Sequence, residues 1–240
     1  MNFVSRVRTF LGRYPRGGAL FFTRLVNRTV GAAIAVLLFS TPITPNMVST
    51  AGFIVHVIAA VLVTTAASPI SPLTWILLLL LWQLAFSLDC ADGMLARSRS
   101  ASTPFGAWLD IFYDIITHVL VYGALTIYVV RALDLDGIQA SALTATVMGL
   151  HFFQLFTSWE RGIIGPAPAV AEPRGLLALA MHGRQLLDYG WFLFASAVLL
   201  PLPNLLGLFL LFSAAVHALS AIAQLALNWR RHVVGDETAP

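Results

Sequence analysis

Long apolar segments, separated by helix-breaking residues, follow one another along most of this chain. A helix that spans a bilayer needs about 20 consecutive apolar residues, and six segments approach that length. They lie at residues 47–66, 73–97, 105–130, 138–160, 184–200 and 203–228. Prolines or an Asp-Gly pair precede most of them, where turns between helices are needed. The sequence therefore predicts an all-α polytopic integral membrane protein, with six transmembrane helices forming one domain over residues 43–232.

The segment at residues 19–40 is more polar than the six that follow. Its polar and small residues recur three or four positions apart, on one face of a helix: Arg24, Asn27, Arg28 and Gly31. This pattern is typical of a helix that lies in the membrane interface. We therefore expect residues 1–42 to form a cytoplasmic N-terminus with an interfacial amphipathic helix, and residues 233–240 to form a cytoplasmic tail.

The distribution of charge predicts the topology. Only 10% of the residues are charged, 58% are hydrophobic, and all 14 basic side chains are arginines. With a cytoplasmic N-terminus, six spans place every arginine except Arg131 on the cytoplasmic side, as the positive-inside rule expects. The loop at 161–183 and the connection between the second and third spans then face the cytoplasm, most simply across the cell membrane. No basic patch interleaved with aromatic residues indicates nucleic acid as a partner.

Four aspartates stand close together in this otherwise apolar chain. Asp89 and Asp92 are three residues apart and Asp110 and Asp114 four, so each pair shares one face of a helix. A short connection makes the two helices antiparallel neighbours, and four carboxylates in one apolar site need a cation. Oxygen ligands without histidine or cysteine select a hard ion, Mg²⁺ or Mn²⁺. The four are enough to hold two such ions, an arrangement suited to phosphoryl transfer.

Small residues lie on the same helix faces as the aspartates. Gly93, Ala96 and Gly106 leave room for a flat or bulky ligand to approach the backbone. Small residues in membrane helices also serve close packing, but their spacing beside the aspartates favours a ligand here. Cys90, the only cysteine, excludes an intrachain disulfide and is interpreted as a small buried residue.

The pattern of these residues resembles the signature of the CDP-alcohol phosphatidyltransferase family. The run Asp89-Cys90-Ala91-Asp92-Gly93-Met94-Leu95-Ala96-Arg97 is followed by Gly106, Asp110 and Asp114 at the family's spacing. The stretch Thr44-Pro45-Asn46-Met47-Val48-Ser49 is also similar to the family's segment at this place, with Ser49 where threonine is common. The resemblance implies transfer of a phosphatidyl group from CDP-diacylglycerol to a polar alcohol or alcohol phosphate, with release of CMP.

The resemblance also implies a role for each matching residue. Asp89, Asp92 and Asp110 would ligate the two metal ions, and Asp114 would complete the site and accept the proton of the acceptor hydroxyl. The residues expected beside the CDP moiety are Pro45, Asn46, Asp89, Gly93, Ala96, Arg97 and Gly106, with Arg97 near the diphosphate. A homodimer in the membrane is compatible with this family.

The acceptor is the part of the reaction that the signature leaves open. His118 continues the face of Asp110 and Asp114 by one turn and is a candidate for the acceptor pocket. A phosphorylated acceptor would need cations, for which the candidates are Arg161, Arg174 and Arg184. Against a phosphorylated acceptor, Asp114 is followed by Ile115, where phosphate-accepting relatives often carry arginine. His151 and His217 lie in mid-span and are interpreted as hydrogen-bonding residues between helices.

Other functions compete with this reading. A CDP-choline or CDP-ethanolamine phosphotransferase with diacylglycerol as acceptor would use the same signature. A transporter could place an acidic proton relay in its helices, although the glycines at these spacings argue against it. An intramembrane prenyltransferase would need a second aspartate-rich motif, and none follows residue 136.

Overall fold

The protein is built from helices. The structure, a computed structural model, describes residues 2–12, 21–164 and 188–229. Their helices are α1 Phe3–Gly12, α2 Phe21–Leu25, α3 Asn27–Leu38, α4 Pro45–Thr65, α5 Pro72–Ser98, α6 Pro104–Ala132, α7 Gly137–Ile164, α8 Tyr189–Leu199 and α9 Pro203–Trp229. These ranges contain no strand. The prediction of an all-α polytopic membrane protein is confirmed.

Among the residues that the structure describes, five helical segments are long and apolar enough to cross a membrane. They are Phe21–Leu38, Pro45–Thr65, Pro72–Ser98, Pro104–Ala132 and Pro203–Ala223. The first of them is the segment expected in the interface, and its length and composition suit a span as well. The described part of α8 has 11 residues, or roughly 16 Å at 1.5 Å per residue. The count of six spans stays a prediction.

Helices α4, α5 and α6 begin in the same way. Each has proline in its first turn, preceded by a threonine or serine whose hydroxyl accepts a hydrogen bond from a free backbone N–H. The bonds are Met47 N to Thr44 Oγ1 (3.3 Å), Thr74 N to Ser71 Oγ (3.1 Å) and Gly106 N to Thr103 Oγ1 (3.0 Å). The starts of these three helices are therefore fixed locally by sequence.

The polar face predicted for the N-terminal segment lies partly against the protein. Asn27 is buried on α3 and donates a hydrogen bond to Gln83 Oε1 of α5 (3.0 Å). A Cβ atom on Gly31 would come within 2.8 Å of the Ser87 carbonyl oxygen. Because the side chains at both positions are small or hydrogen-bonded, α3 packs closely along α5.

Two hydrophobic cores hold the helices together. The larger lies among α4 to α9 and includes fully buried Trp82, Tyr122 and Phe192. The smaller lies between α1, α3, α4 and α5, with Phe10, Val36 and other residues under the C-terminal half of α5. Helix α5 belongs to both cores, so the part of the chain that carries Asp89 and Asp92 is supported on several sides.

The start of α8 is tied to the N-terminal helices. Asp188 is buried and accepts hydrogen bonds from the backbone N–H of Thr23 (2.9 Å), from the Thr23 hydroxyl and from the N–H of Trp191 (3.3 Å). Trp75 Nε1 on α5 donates to the carbonyl oxygen of Ala197 (2.8 Å). These bonds place Tyr189, the first residue of α8, beside the aspartates of α5.

Candidate active site

Three aspartates form a compact acidic cluster between α5 and α6. One carboxylate oxygen from each of Asp89, Asp92 and Asp110 lies within 4.8 Å of the other two. Asp92 is buried, Asp89 is half-buried and Asp110 is exposed. The Oδ2 atom of Asp92 has no hydrogen-bond partner among the residues that the structure describes. Hard oxygen donors at this separation, one of them buried and unpartnered, fit a divalent cation such as Mg²⁺ or Mn²⁺.

Asp114 lies one turn further along α6. Its side chain is exposed and lies outside the 4.8 Å group formed by the other three. It does line the same cleft as Asp89 and Asp110. Three carboxylates therefore form one group, and the fourth, that of Asp114, lines the cleft next to this group.

The cleft is enclosed by four helices. Its lining residues are Ser49, Gly52, Phe53 and His56 of α4, Phe86 and Asp89 of α5, Asp110, Tyr113, Asp114 and Thr117 of α6, and Tyr189 of α8. Its floor and walls thus combine carboxylates, aromatic rings and neutral hydrogen-bonding groups. Such a mixture can hold a polar ligand against the aspartates while apolar walls limit access of water.

Contacts between α4 and α6 keep the two walls of the cleft together. The ring of Phe53 stacks on that of Tyr113, with centroids 4.5 Å apart. The hydroxyl groups of Tyr113 and Thr50 lie 3.1 Å apart. Ser49 lies beside the carboxylate of Asp92. These contacts place the start of α4 against the two helices that carry the aspartates.

The glycines predicted to face a ligand lie beside polar side chains. A Cβ on Gly93 would stand 3.0 Å from Nη2 of Arg97, whose guanidinium folds back over the glycine. A Cβ on Gly106 would stand 3.1 Å from Oδ1 of Asn46. In both cases the neighbouring atom is the end of a side chain, which can move when a ligand arrives. The structure brings Asn46 and Gly106 together, and neither glycine is among the lining residues of the cleft.

Arg99 supports the site from outside. Its guanidinium donates to the carbonyl oxygens of Phe39 (2.9 and 3.1 Å), Thr41 (2.9 Å), Ile43 (2.6 Å) and Leu38. These carbonyls belong to the end of α3 and the turn before α4. Arg99 therefore holds in place the turn from which Thr44, Pro45 and Asn46 start.

His118 packs beside the cleft. Its Nδ1 atom donates to the backbone carbonyl oxygen of Asp114 (2.7 Å), and its ring stacks on Tyr189 at 4.3 Å. It therefore lies next to two lining residues of the cleft, and its role in an acceptor pocket stays a prediction. The side chain of Arg161, and Arg174 and Arg184 entirely, lie outside the described residues.

Two histidines were expected to form hydrogen bonds between helices. His217 Nδ1 instead lies 2.7 Å from the carbonyl oxygen of Ser213 in its own helix. Neither ring nitrogen of His151 has a hydrogen-bond partner in the described part of the chain. The contacts of His151 with other helices are ring contacts, to Tyr122 at 3.8 Å and to His217 at 4.7 Å.

Sequence reasoning missed several lining residues of the cleft, of which Tyr113 lies within the signature and the others lie farther from it. His56, Phe53, Tyr113 and Tyr189 all line the cleft. A signal for His56 was present, since Ser49, Gly52 and His56 follow one another along one face of α4 at helical spacing. Tyr189 had no such signal, because α8 reaches the cleft only through contacts distant in sequence.

Comparison with known proteins was made against families and against individual proteins. The family model described as CDP-alcohol phosphatidyltransferase matches residues 42–203. Similar proteins include ethanolaminephosphotransferase 1 of Mus musculus, 27% identical over 136 residues, which are 52% of this chain and 34% of the relative. The protein of the same name from Homo sapiens is 26% identical over 136 residues, which are again 52% of this chain and 34% of the relative. The match thus covers about a third of the length of these relatives.

Proposed function

Since the chain belongs to the CDP-alcohol phosphatidyltransferase family, we propose that it transfers a phosphatidyl group from CDP-diacylglycerol to a polar alcohol or alcohol phosphate. The acceptor oxygen attacks the phosphorus distal to cytidine, the bond from that phosphorus to CMP breaks, and the hydroxyl proton leaves to a base. The observation that carries the proposal is the group of three carboxylate oxygens within 4.8 Å, beside a cleft that a fourth aspartate lines.

Asp89, Asp92 and Asp110 are the residues that would hold divalent metal, with Asp114 at the edge of the site. The proposal is for two ions, Mg²⁺ or Mn²⁺. Bound there, such ions neutralise the diphosphate and stabilise the departing CMP. Burial of Asp92 keeps one ligand in a fixed position, while the exposure of Asp110 leaves room for substrate oxygens in the remaining coordination positions.

Asp114 is proposed as the general base. A base must come within hydrogen-bonding reach of the proton that it removes. The carboxylate of Asp114 is exposed to the cleft, so an acceptor hydroxyl can approach it. Its helix is fixed to α4 through the stacked rings of Phe53 and Tyr113, which orients the base towards the acidic cluster.

The CDP moiety of the donor is proposed to bind at the cytoplasmic ends of α4, α5 and α6. The residues proposed to contact it are Pro45, Asn46, Asp89, Gly93, Ala96, Arg97 and Gly106. Support comes from the closeness of Asn46 to Gly106 and of Arg97 to Gly93. A guanidinium in this position can meet the diphosphate with several N–H groups.

The acceptor pocket is proposed to lie on the Asp114 side of the cleft. His118 borders it, and Arg161, Arg174 and Arg184 would supply cations for a phosphorylated acceptor. The distribution of arginines supports a cytoplasmic orientation of the site in a cell membrane. A homodimer is also proposed, in keeping with the family resemblance.

A second reaction of the same class is favoured by the names of the relatives. Both similar proteins are called ethanolaminephosphotransferase. On that reading the donor is CDP-ethanolamine, the acceptor is diacylglycerol, and CMP is again released.

Release of CMP by the purified protein in detergent with Mg²⁺ tests these readings. CMP from CDP-dioleoylglycerol with a polar alcohol supports the first reaction, and CMP from CDP-ethanolamine with dioleoylglycerol supports the second. A transporter with an acidic relay would release CMP from neither donor. Asp134→Asn serves as the matched control for active-site aspartates, because Asp134 is exposed and lies on the turn after α6.

A further inference from the structure

His56 presents a hydrogen-bond acceptor to the cleft. The residue is 4% exposed, and its Nδ1 atom lies 3.2 Å from the carbonyl oxygen of Gly52. A carbonyl oxygen only accepts, so Nδ1 carries the proton, and Nε2 of the neutral ring is left with a lone pair. Nε2 is buried without a hydrogen-bond partner among the described residues. The ring lines the same cleft as Asp89 and Asp114.

Tyr189 brings a second unpartnered group to the same cleft. Its hydroxyl oxygen is buried and has no hydrogen-bond partner in the part of the chain that the structure describes. Its ring is held between Phe86, at 5.2 Å edge to face, and His118, stacked at 4.3 Å. The rings of Tyr189 and His56 have centroids 6.4 Å apart. Both side chains are therefore fixed by contacts that leave their remaining polar atoms for a ligand.

The chemistry of these two groups selects a hydroxyl. Nε2 of His56 needs a donor, and the phenol of Tyr189 can donate to the oxygen of the same group. A phosphate oxygen would meet the lone pair of His56 unfavourably. A hydroxyl carries one proton, and in the proposed reaction the proton of the attacking hydroxyl goes to Asp114. A second hydroxyl can then supply the proton donor for His56, and its oxygen can accept from Tyr189.

We propose that His56 and Tyr189 form a subsite for a second, non-reacting hydroxyl of the acceptor, so that the acceptor is a polyol. The inference rests on the proposed transfer from CDP-diacylglycerol and deepens it. A second hydroxyl is present in free polyols and in polyol phosphates, and the subsite recognises that shared group. Diacylglycerol has a single hydroxyl and leaves Nε2 of His56 without a donor.

The test uses the full-length protein in detergent with Mg²⁺ and CDP-dioleoylglycerol. Acceptors are paired by hydroxyl count: glycerol with 1-propanol, myo-inositol with cyclohexanol, and glycerol 3-phosphate with 3-hydroxypropyl phosphate. The variants are Tyr189→Phe and His56→Phe. Both keep an aromatic ring; the first removes the phenol oxygen and the second removes the two ring nitrogens. Tyr128→Phe is the matched control, because it removes a buried phenol oxygen bonded to the Leu200 carbonyl, on the last turns of α6.

We expect wild-type protein to prefer the polyol of a pair, and Tyr189→Phe to raise the KM for that polyol about tenfold, the effect of losing one buried hydrogen bond. The KM for the donor and for the one-hydroxyl analogue should change less than about twofold, as should all constants of Tyr128→Phe. Melting temperature in detergent identifies any variant that does not fold, and Tyr189→Phe carries the test if His56→Phe fails.

Four results overturn the inference. An unchanged polyol KM in folded Tyr189→Phe and His56→Phe assigns both residues to packing, while the proposed reaction stands. Equal use of polyols and their one-hydroxyl analogues by the wild type would also remove the subsite and leave the proposed reaction standing. If CMP is released only from CDP-ethanolamine with dioleoylglycerol, the acceptor is a lipid with one hydroxyl. Absence of CMP from both donors removes the proposed function and the subsite together.

Discussion

The aspartates of the site differ in their surroundings, and this difference separates their expected effects on mutation. Asp92 is 6% exposed and has an unpartnered oxygen among described residues, so its carboxylate is best placed to be a fixed metal ligand. Asp114 is exposed to the cleft, where an acceptor can reach it. Replacing either by asparagine keeps the volume of the side chain and removes its charge.

Asp92→Asn should abolish CMP release and leave a folded protein, because the change removes a charged ligand without opening a cavity. Binding of Mn²⁺, followed by electron paramagnetic resonance, should weaken in parallel. Asp134→Asn should retain both properties. CMP release that persists in excess chelator would show that the reaction needs no divalent metal.

Asp114→Asn should lower turnover by roughly 10²-fold or more, in line with the usual contribution of a positioned base. Donor binding and Mn²⁺ binding should largely survive, since the three-carboxylate cluster remains. Turnover and equilibrium binding of CDP-dioleoylglycerol measured on the same preparation separate these effects. Normal turnover would mean that the proton goes to another group, and His118 would be the next residue to test.

Gly93→Leu and Gly106→Leu should weaken donor binding much more than they alter the fold. A side chain at either position first meets the end of a movable side chain, Arg97 or Asn46, so the helices can accommodate it. The space proposed for cytidine would nevertheless be filled. Native affinity for CDP-dioleoylglycerol in a titration of either variant would assign that glycine to packing alone.

The backbone of α5 is closely approached by glycines of two neighbouring helices. A Cβ on Gly31 of α3 would stand 2.8 Å from the carbonyl oxygen of Ser87, and one on Gly52 of α4 would stand 3.2 Å from that of Ala85. These atoms belong to the backbone of α5, which cannot move aside without displacing Asp89 and Asp92. The acidic cluster therefore depends on glycines in two other helices.

Gly31→Ala should lower the stability of the protein by about 1–3 kcal/mol, the usual cost of overpacking, and should reduce activity without touching a ligand. The matched control is Gly123→Ala in α6, where a Cβ would meet nothing within 4 Å. That change should be neutral or stabilising by up to about 1 kcal/mol, because alanine favours helix. Melting curves in detergent make the comparison, and equal melting temperatures would contradict the close approach.

At the scale of the whole molecule, the arginines predict which side of the membrane carries the site. Cys90 is the only cysteine and is buried, which confirms its interpretation as a small buried residue and provides a low labelling background. Arg8 is exposed on α1, so Arg8→Cys introduces one reactive thiol near the N-terminus.

Intact cells that express Arg8→Cys should resist labelling by a membrane-impermeant maleimide and become labelled after permeabilisation. A cysteine introduced within 161–183 should behave in the same way, because that loop is expected on the same side. Labelling of position 8 from outside intact cells would reverse the topology and place the site on the outer face.

The features that the sequence predicted best are those determined by residues close together in the chain, such as the starts of helices. Pro45, Pro72 and Pro104 begin α4, α5 and α6 as their positions suggested, because proline and the preceding hydroxyl act within one turn. Helical spacing and a short connection predicted a cluster of four carboxylates, of which Asp89, Asp92 and Asp110 lie within 4.8 Å of one another. The contributions of Asn27 and Tyr189 could not be predicted, because they depend on how helices separated by 50 residues or more pack together.

Arg99 lies inside the signature, between Arg97 and Gly106, and constrains the spacing there in a way that substrate contacts alone do not require. Its guanidinium reaches the carbonyl oxygens of the turn before α4 from the C-cap of α5, the helix that carries Asp89 and Asp92. Each residue of an α-helix advances the direction of its side chain by about 100°. One residue inserted between Asp92 and Arg97 would leave every carboxylate intact and still turn Arg99 away from that turn. The hydrogen bonds of Arg99 to the backbone before α4 therefore also constrain the spacing of residues within the motif.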